Sequence, residues 1–129
     1  MSTPAIMGLI DPYIEDKLRA ATHAFPNQHF EREGLTAYYK ITYLEAQSEQ
    51  FAYGNDRVPS ILQIDAIVKD KSGNRSDMVQ DVLDAFYKGK RLSNSQASIR
   101  IDRAPYIGSG FNVDGWYITP ISIPYEVFR

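Results

Sequence analysis

His23 and His29, followed by Glu31 and Glu33, are the side chains whose types could together hold a metal ion. The two histidines stand six residues apart across Pro26. Helical zinc pairs use a spacing of four, and no other ligand pattern fits. Histidines at a helix end or on the surface are the expectation, because His suits the negative end of a helix. Gly108-Ser109-Gly110 could suggest a phosphate cradle or a nucleophilic serine. It has no following Lys-Ser or Lys-Thr and no helix N-terminus to hold an anion. Its glycines flank the serine directly, which is not the strand-to-helix elbow of a hydrolase, so it reads as a flexible loop. Asp77, Asp81 and Asp84 are neighbours on one helical face. General acid work needs a desolvated cleft that nothing in the pattern indicates, so these read as a solvated acidic face. Arg100, Asp102 and Arg103 could make cross-strand or intersubunit pairs, each contributing under ~1 kcal/mol if exposed. With no cysteine there is no thiolate site, cysteine nucleophile or disulfide. The expectation is a protein without a catalytic residue, metal or cofactor.

The elements that would position these residues follow from periodicity. Ile6, Ile10, Ile14, Leu18, Ala21 and Phe25 recur at helical intervals. Pro12 interrupts that stripe, so the predicted helix begins with Asp11 as its N-cap and Pro12 at its first position, with residues 4–10 as an earlier turn or a kinked extension, and ends at Pro26-Asn27. Residues 35–44 alternate as a strand rich in tyrosine and β-branched residues. Residues 45–57 carry neither period and form a long connection, of a length that in compact domains is usually functional or disordered. Residues 61–68 alternate again, with Pro59 at their start. After the turn at Asp70–Asn74, Ser76 can cap a second helix carrying Val79, Val82, Leu83 and Phe86, with Gly89 at its end. Strands are predicted at 97–103 and 115–125. In the last of these, Pro120 and Pro124 remove donors from one and the same edge. That edge cannot be paired continuously, which predicts a strand at the border of the sheet or at a bulge. The expected fold is α+β, a mixed, mostly antiparallel four-stranded sheet with two helices packed on one face, in the order αββαββ.

The chain of 129 residues fits one domain, 1–129, able to bury roughly two thirds of the surface of its unfolded form. A net charge of −2, with the two signs interspersed, gives no polybasic footprint for stable DNA binding. The first residues lack a basic segment followed by an apolar run, and no stretch nears the ~20 apolar residues of a membrane span. A soluble, unsecreted protein is expected. Nine tyrosines against six phenylalanines and one tryptophan suit half-buried strand positions, and tyrosine is also enriched at protein interfaces.

One group of segments is more specific. Leu62-Gln63-Ile64-Asp65, Ile99-Arg100-Ile101 leading to Arg103-Ala104-Pro105, Ile107-Gly108, Gly115-Trp116-Tyr117, Pro120, and Ser122-Ile123-Pro124-Tyr125 together resemble the tail-terminator-like proteins of long-tailed bacteriophages. The resemblance spans roughly residues 58–125, with a looser match in the first helix. The chain departs from the family pattern in the long connection at 45–57 and in Pro12. The resemblance implies a structural subunit, not an enzyme, that forms a six-fold homo-oligomeric ring on the tail tube. The ring would stop tube polymerisation and present a surface to head-completion or neck proteins. It would be assembled in the host cytoplasm and sit in the virion at the tail and neck, with DNA only passing through its channel and no membrane involved. A mildly acidic chain suits such a channel, because strong phosphate contacts would retard passage. On this reading Phe51, Tyr53, Asn55, Asp56 and Arg57 of the long connection contact other subunits or the tube, and Arg100, Asp102 and Arg103 are further interface candidates. A neck or head-completion protein is the alternative within structural proteins. A small-ligand-binding α+β domain is the alternative outside them, and would need a closed pocket with convergent polar groups.

Overall fold

A computed structural model describes residues 3–26, 28, 30–31, 33–45, 60–69 and 75–128. In chain order the elements are helix α1 (Thr3–Lys17), strands β1 (Thr22–Ala24), β2 (Ala37–Glu45) and β3 (Ser60–Lys69), helix α2 (Arg75–Ala85), then β4 (Arg91–Ser93), β5 (Ser98–Ile101), β6 (Tyr106–Ile107), β7 (Phe111–Val113) and β8 (Trp116–Phe128). All eight strands belong to one sheet with the path β1-β2-β3-β8-β5-β4, while β6 and β7 also pair with β8. Among the described strands only the β1–β2 pairing is parallel.

The expected four-stranded sheet under two helices is therefore wrong: the sheet has eight strands and curls into a half-barrel. The four predicted strands exist as β2, β3, β5 and β8. The missed ones are two or three residues long, too short to show a period of two.

The first helix also differs. It starts at Thr3 and carries Pro12 in its interior. The proline leaves the carbonyl of Gly8, four residues earlier, without its helical partner. Both residues are exposed, so water can serve that carbonyl. Asp11 is no N-cap; its carboxylate accepts the Tyr43 hydroxyl. The helix ends at Lys17, where Arg19 Nε donates to the Asp16 carbonyl at 2.7 Å, satisfying one of the orphaned acceptors of the last turn. Ala21 is therefore outside the helix, and Phe25 follows β1.

β8 is not at a border. It pairs with β3 along ten residues, from Trp116↔Lys69 to Tyr125↔Ser60. Its other edge is shared by β7 at 116–118, β6 at 121–122 and β5 at 125–128. Pro120 and Pro124 do lie on that one edge, because their carbonyls accept from Gly108 N–H at 2.8 Å and Asp102 N–H at 3.1 Å. Each proline stands opposite a gap between two short strands. The missing donors cut the pairing into three pieces and leave the strand inside the sheet.

One face of the sheet carries the main core. Tyr39 and Ile41 of β2, Leu62, Ile64 and Ala66 of β3, Ile99 and Ile101 of β5, and Ile121, Ile123 and Tyr125 of β8 are buried with Ile6, Ile10, Ile14 and Leu18 from α1 and its end and with Met78, Val82 and Phe86 from α2 and its end. On the opposite face Tyr38, Ile67 and Trp116 form a second cluster beneath Phe30 and Leu35. Tyr38 meets Trp116 edge-on at 5.5 Å and 73°.

Candidate interaction surface

The second cluster covers only part of that opposite face. Residues directly paired across strands point to one side, so the register traces the face row by row. Tyr38, Ile67, Ile118 and Phe111 form one row, and Lys40, Asp65 and Pro120 the next. Thr42, Gln63, Ser122 and Tyr106 follow, and then Leu44, Ile61 and Pro124. Of the seven large apolar side chains exposed among the described residues, Leu44, Tyr106, Phe111 and Val113 are on this side of the sheet. Ile107, also exposed, pairs with Ile121 and so lies on the core-bearing side of the sheet. Tyr106, Phe111 and Val113 lie along one edge of β8 on the opposite side, and exposed apolar surface of this kind marks a place where another molecule binds.

β6 and β7, which carry most of it, fall where the sequence predicts a loop around Gly108 and Gly110. A signal for β7 was present. Asp114 and Gly115, with φ of 50° and 83°, form a two-residue turn joining Val113 to its partner Trp116. Asp-Gly is a preferred sequence for such a hairpin turn. β6, two residues long and followed by glycine, has no comparable signal. At Gly108 the chain passes so near β8 that a Cβ would stand 3.0 Å from Pro120 Cγ.

The interface candidates fall into three groups. Phe51, Tyr53, Asn55, Asp56 and Arg57 lie outside the described residues. Arg100 on β5 stands opposite Glu126 on β8 and donates to its carboxylate at 2.7 Å, so it makes the cross-strand pair within one subunit. Asp102 is partly buried and Arg103 is exposed. Both lie in the segment between β5 and β6, beside the apolar patch.

No catalytic constellation emerges among the described residues. His23 is on β1, where its Nε2 meets the Leu18 carbonyl just past α1 and its ring stacks on Tyr39 at 5.8 Å and 17°. His29 lies outside the described residues, and no group of three metal-ligating side chains exists among those described. Of the three aspartates on α2, Asp81 turns inward: its Oδ2 accepts Ala20 N–H at 3.1 Å and faces the Tyr39 hydroxyl at 3.4 Å. Burial, with help from Asp81, pushes the Tyr39 phenol up. Burial likewise pushes up the Tyr43 phenol beside Asp11, and Asp11 itself. An open groove of about 670 Å³ runs along Phe25, Phe30, Tyr38, Ile41 and Tyr43. Among the described residues of its lining Lys40 is the one ionisable group other than tyrosine, which is not a convergent polar set for a small ligand. No described helix is long and apolar enough to cross a membrane.

Asp65 sits on the open face beside Lys40, held by Gln63 Nε2 at 3.1 Å. Desolvation raises its pKa above the ordinary 3.8, against the opposing pulls of Gln63 and Lys40. The folded state thus holds this proton more tightly than the unfolded chain. The associated stability is fully present below pH 3.8 and is lost as pH rises through the folded pKa. Asp65→Asn keeps an acceptor for Gln63 and is expected to be more stable than the native chain at pH 7, with the gain shrinking toward pH 3. Thermal melts across that range measure it, and a gain that grows on acidification would contradict the assignment.

A family profile described as phage tail terminator protein matches residues 5–125 of the chain. Among solved structures, one chain superposes with a TM-score of 0.76 at 20% identity, covering 100% of this chain and 97% of that one. That likeness shows a shared fold. No curated protein matches.

Proposed function

Because the chain belongs to the phage tail terminator family, we propose that it ends the growth of the tail tube. It is a structural component of the phage tail. In the proposed role several copies, six by the family resemblance, close into a ring on the finished tube, block further addition of tube subunits, and offer their free side to the head-completion or neck protein. The ring assembles in the host cytoplasm and performs no catalysis. The family match over residues 5–125 carries the reading. The apolar surface on β6–β7, which nothing in the described chain covers, supports an assembling subunit. A head-to-tail contact between unlike patches closes into a ring when its rotation fits, so a short chain without internal repeats suffices.

Deleting the gene from its phage and imaging the lysate by negative-stain electron microscopy tests this. Overlong, headless tubes are expected. Tails of normal length without heads would move the protein to the neck, and normal virions would overturn the assignment. Complementation with a chain lacking residues 48–56 is expected to supply a folded protein that fails to cap, since the deletion removes Phe51, Tyr53, Asn55 and Asp56 of the proposed contacts and leaves only Arg57. Tails of normal length from that variant would remove the segment from the interface.

A further inference from the structure

Exposed apolar side chains of β6 and β7 follow an exposed arginine, with half-buried Asp102 beside it and exposed Asp114 at the far turn of the β7 hairpin. Tyr106, at 70% exposure, and Phe111 follow Arg103 within nine residues and share one side of the sheet. Arg103 is exposed and makes no salt bridge among the described residues. Arginine with large aromatics is the composition of interface hot spots. Such a patch does not complement itself, because a two-fold contact would bring two unpaired Arg103 side chains together. Its counterpart must carry acid and offer some apolar surface.

The outward stripe of α2 has both. Asp77, Gln80 and Asp84 lie at i, i+3 and i+7 and are all exposed. Gln80 Nε2 donates to Asp84 at 2.8 Å, but neither carboxylate makes a salt bridge among the described residues. Arg75, the nearest cation in the helix, is occupied elsewhere: its Nε donates to Thr119 at 2.8 Å and its guanidinium lies 5.0 Å from the centre of the Tyr117 ring. Tyr87, 52% exposed, continues the stripe just past the helix end.

We propose that the Arg103–Phe111 segment of one copy docks on the Asp77–Gln80–Asp84–Tyr87 stripe of the next copy, head to tail. Tyr106 and Phe111 share the sheet face opposite the core into which Met78 and Val82 of α2 are buried. One subunit therefore presents the two patches on different sides. Every copy carries one of each, so the contact repeats in a single sense, as a ring requires. The inference deepens the terminator reading and rests on it for the place where the ring forms.

The absence of native cysteine makes the test direct. In the deletion phage complemented by Arg103→Cys/Gln80→Cys, a short bismaleimide reagent applied to purified tails is expected to give a ladder of linked subunits beyond the dimer. Each single-cysteine variant should give none. Both positions are exposed, and an unchanged melting temperature of the purified variant verifies the fold. No ladder in tails of normal length would overturn the docking while leaving termination intact, and dimers from Arg103→Cys alone would replace it with a two-fold contact. Normal virions from the deletion phage would instead remove the terminator reading. A charge swap decides the docking in that case too. Arg103→Glu and Asp77→Lys/Asp84→Lys should each fail to self-associate at high concentration in analytical ultracentrifugation. Mixing the two variants should restore association through the exchanged patches, and a mixture that stays monomeric would overturn the proposal.

Discussion

Phe86→Ala is expected to remove about 3–5 kcal/mol of stability, a large share of the ~5–15 kcal/mol typical of a domain. Phe86 closes α2, with its N–H bonded to Val82 O at 2.9 Å and its side chain at 0% exposure. Its ring meets Tyr13 of α1 edge-on at 5.4 Å and 78°. The Tyr13 hydroxyl in turn donates to the Ala85 carbonyl at 2.6 Å. This cluster ties the two helices together. Truncation would lose the buried ring and the aromatic pair and leave a cavity whose walls are fixed by both helices. Urea unfolding should show a lowered midpoint with an unchanged slope. Phe86→Leu, which fills part of the space, should recover part of the loss. A loss below ~1 kcal/mol for the alanine variant would mean that the site collapses freely and that the helices are not coupled there.

That contact was half legible in the sequence. The stripe of Val79, Val82, Leu83 and Phe86 announced α2, since helical spacing survives over eleven residues, but the side it buries is centred on Met78, Val82, Ala85 and Phe86. Long strands were legible for the same reason: β2, β3 and β8 run for nine, ten and thirteen residues. β1, β4, β6 and β7 were not, because pieces of two or three residues are held by their neighbours and not by their own pattern. Pro12 misled for a related reason. An interior proline usually marks a helix start, but burial of Ile6, Leu9 and Ile10 against the sheet outweighs one missing hydrogen bond. The two prolines of β8 were read correctly as to edge and wrongly as to place, since local geometry says where donors are missing but not that three short strands share what remains.

The interaction surface was least legible. Arg100, expected in a cross-strand or an intersubunit pair, is paired across strands with Glu126, a partner 26 residues away that only strand register reveals. Arg103 keeps its place at the surface. The residues that give Arg103 its setting, Tyr106 and Phe111, are separated by Gly108-Ser109-Gly110 and look like loop residues. They become a surface only when β8 pulls both pieces onto one side of the sheet.

The glycine-flanked crossing between those pieces also bears on packing. Gly110→Ala is expected to cost about 1–3 kcal/mol, although the position has no unusual φ that reserves it for glycine. The reason is space. A Cβ there would stand 2.0 Å from the Tyr117 hydroxyl oxygen, 2.2 Å from Cζ and 2.6 Å from Cε2. The Tyr117 ring is held beneath Arg75, whose guanidinium lies 5.0 Å from its centre while its Nε is bonded to buried Thr119. Accommodating one methyl group means moving the ring, breaking that stack and disturbing the strand that aligns β6 and β7. A double-mutant cycle separates this from any backbone effect. If the ring is the obstacle, Gly110→Ala should cost far less in a Tyr117→Ala background, with a coupling of about 0.5–3 kcal/mol. Equal costs in both backgrounds would show that Gly110 is needed for chain conformation. Removing Tyr117 alone should be the milder change, because it takes away a partly exposed stack and leaves β8 paired with β3 along its length.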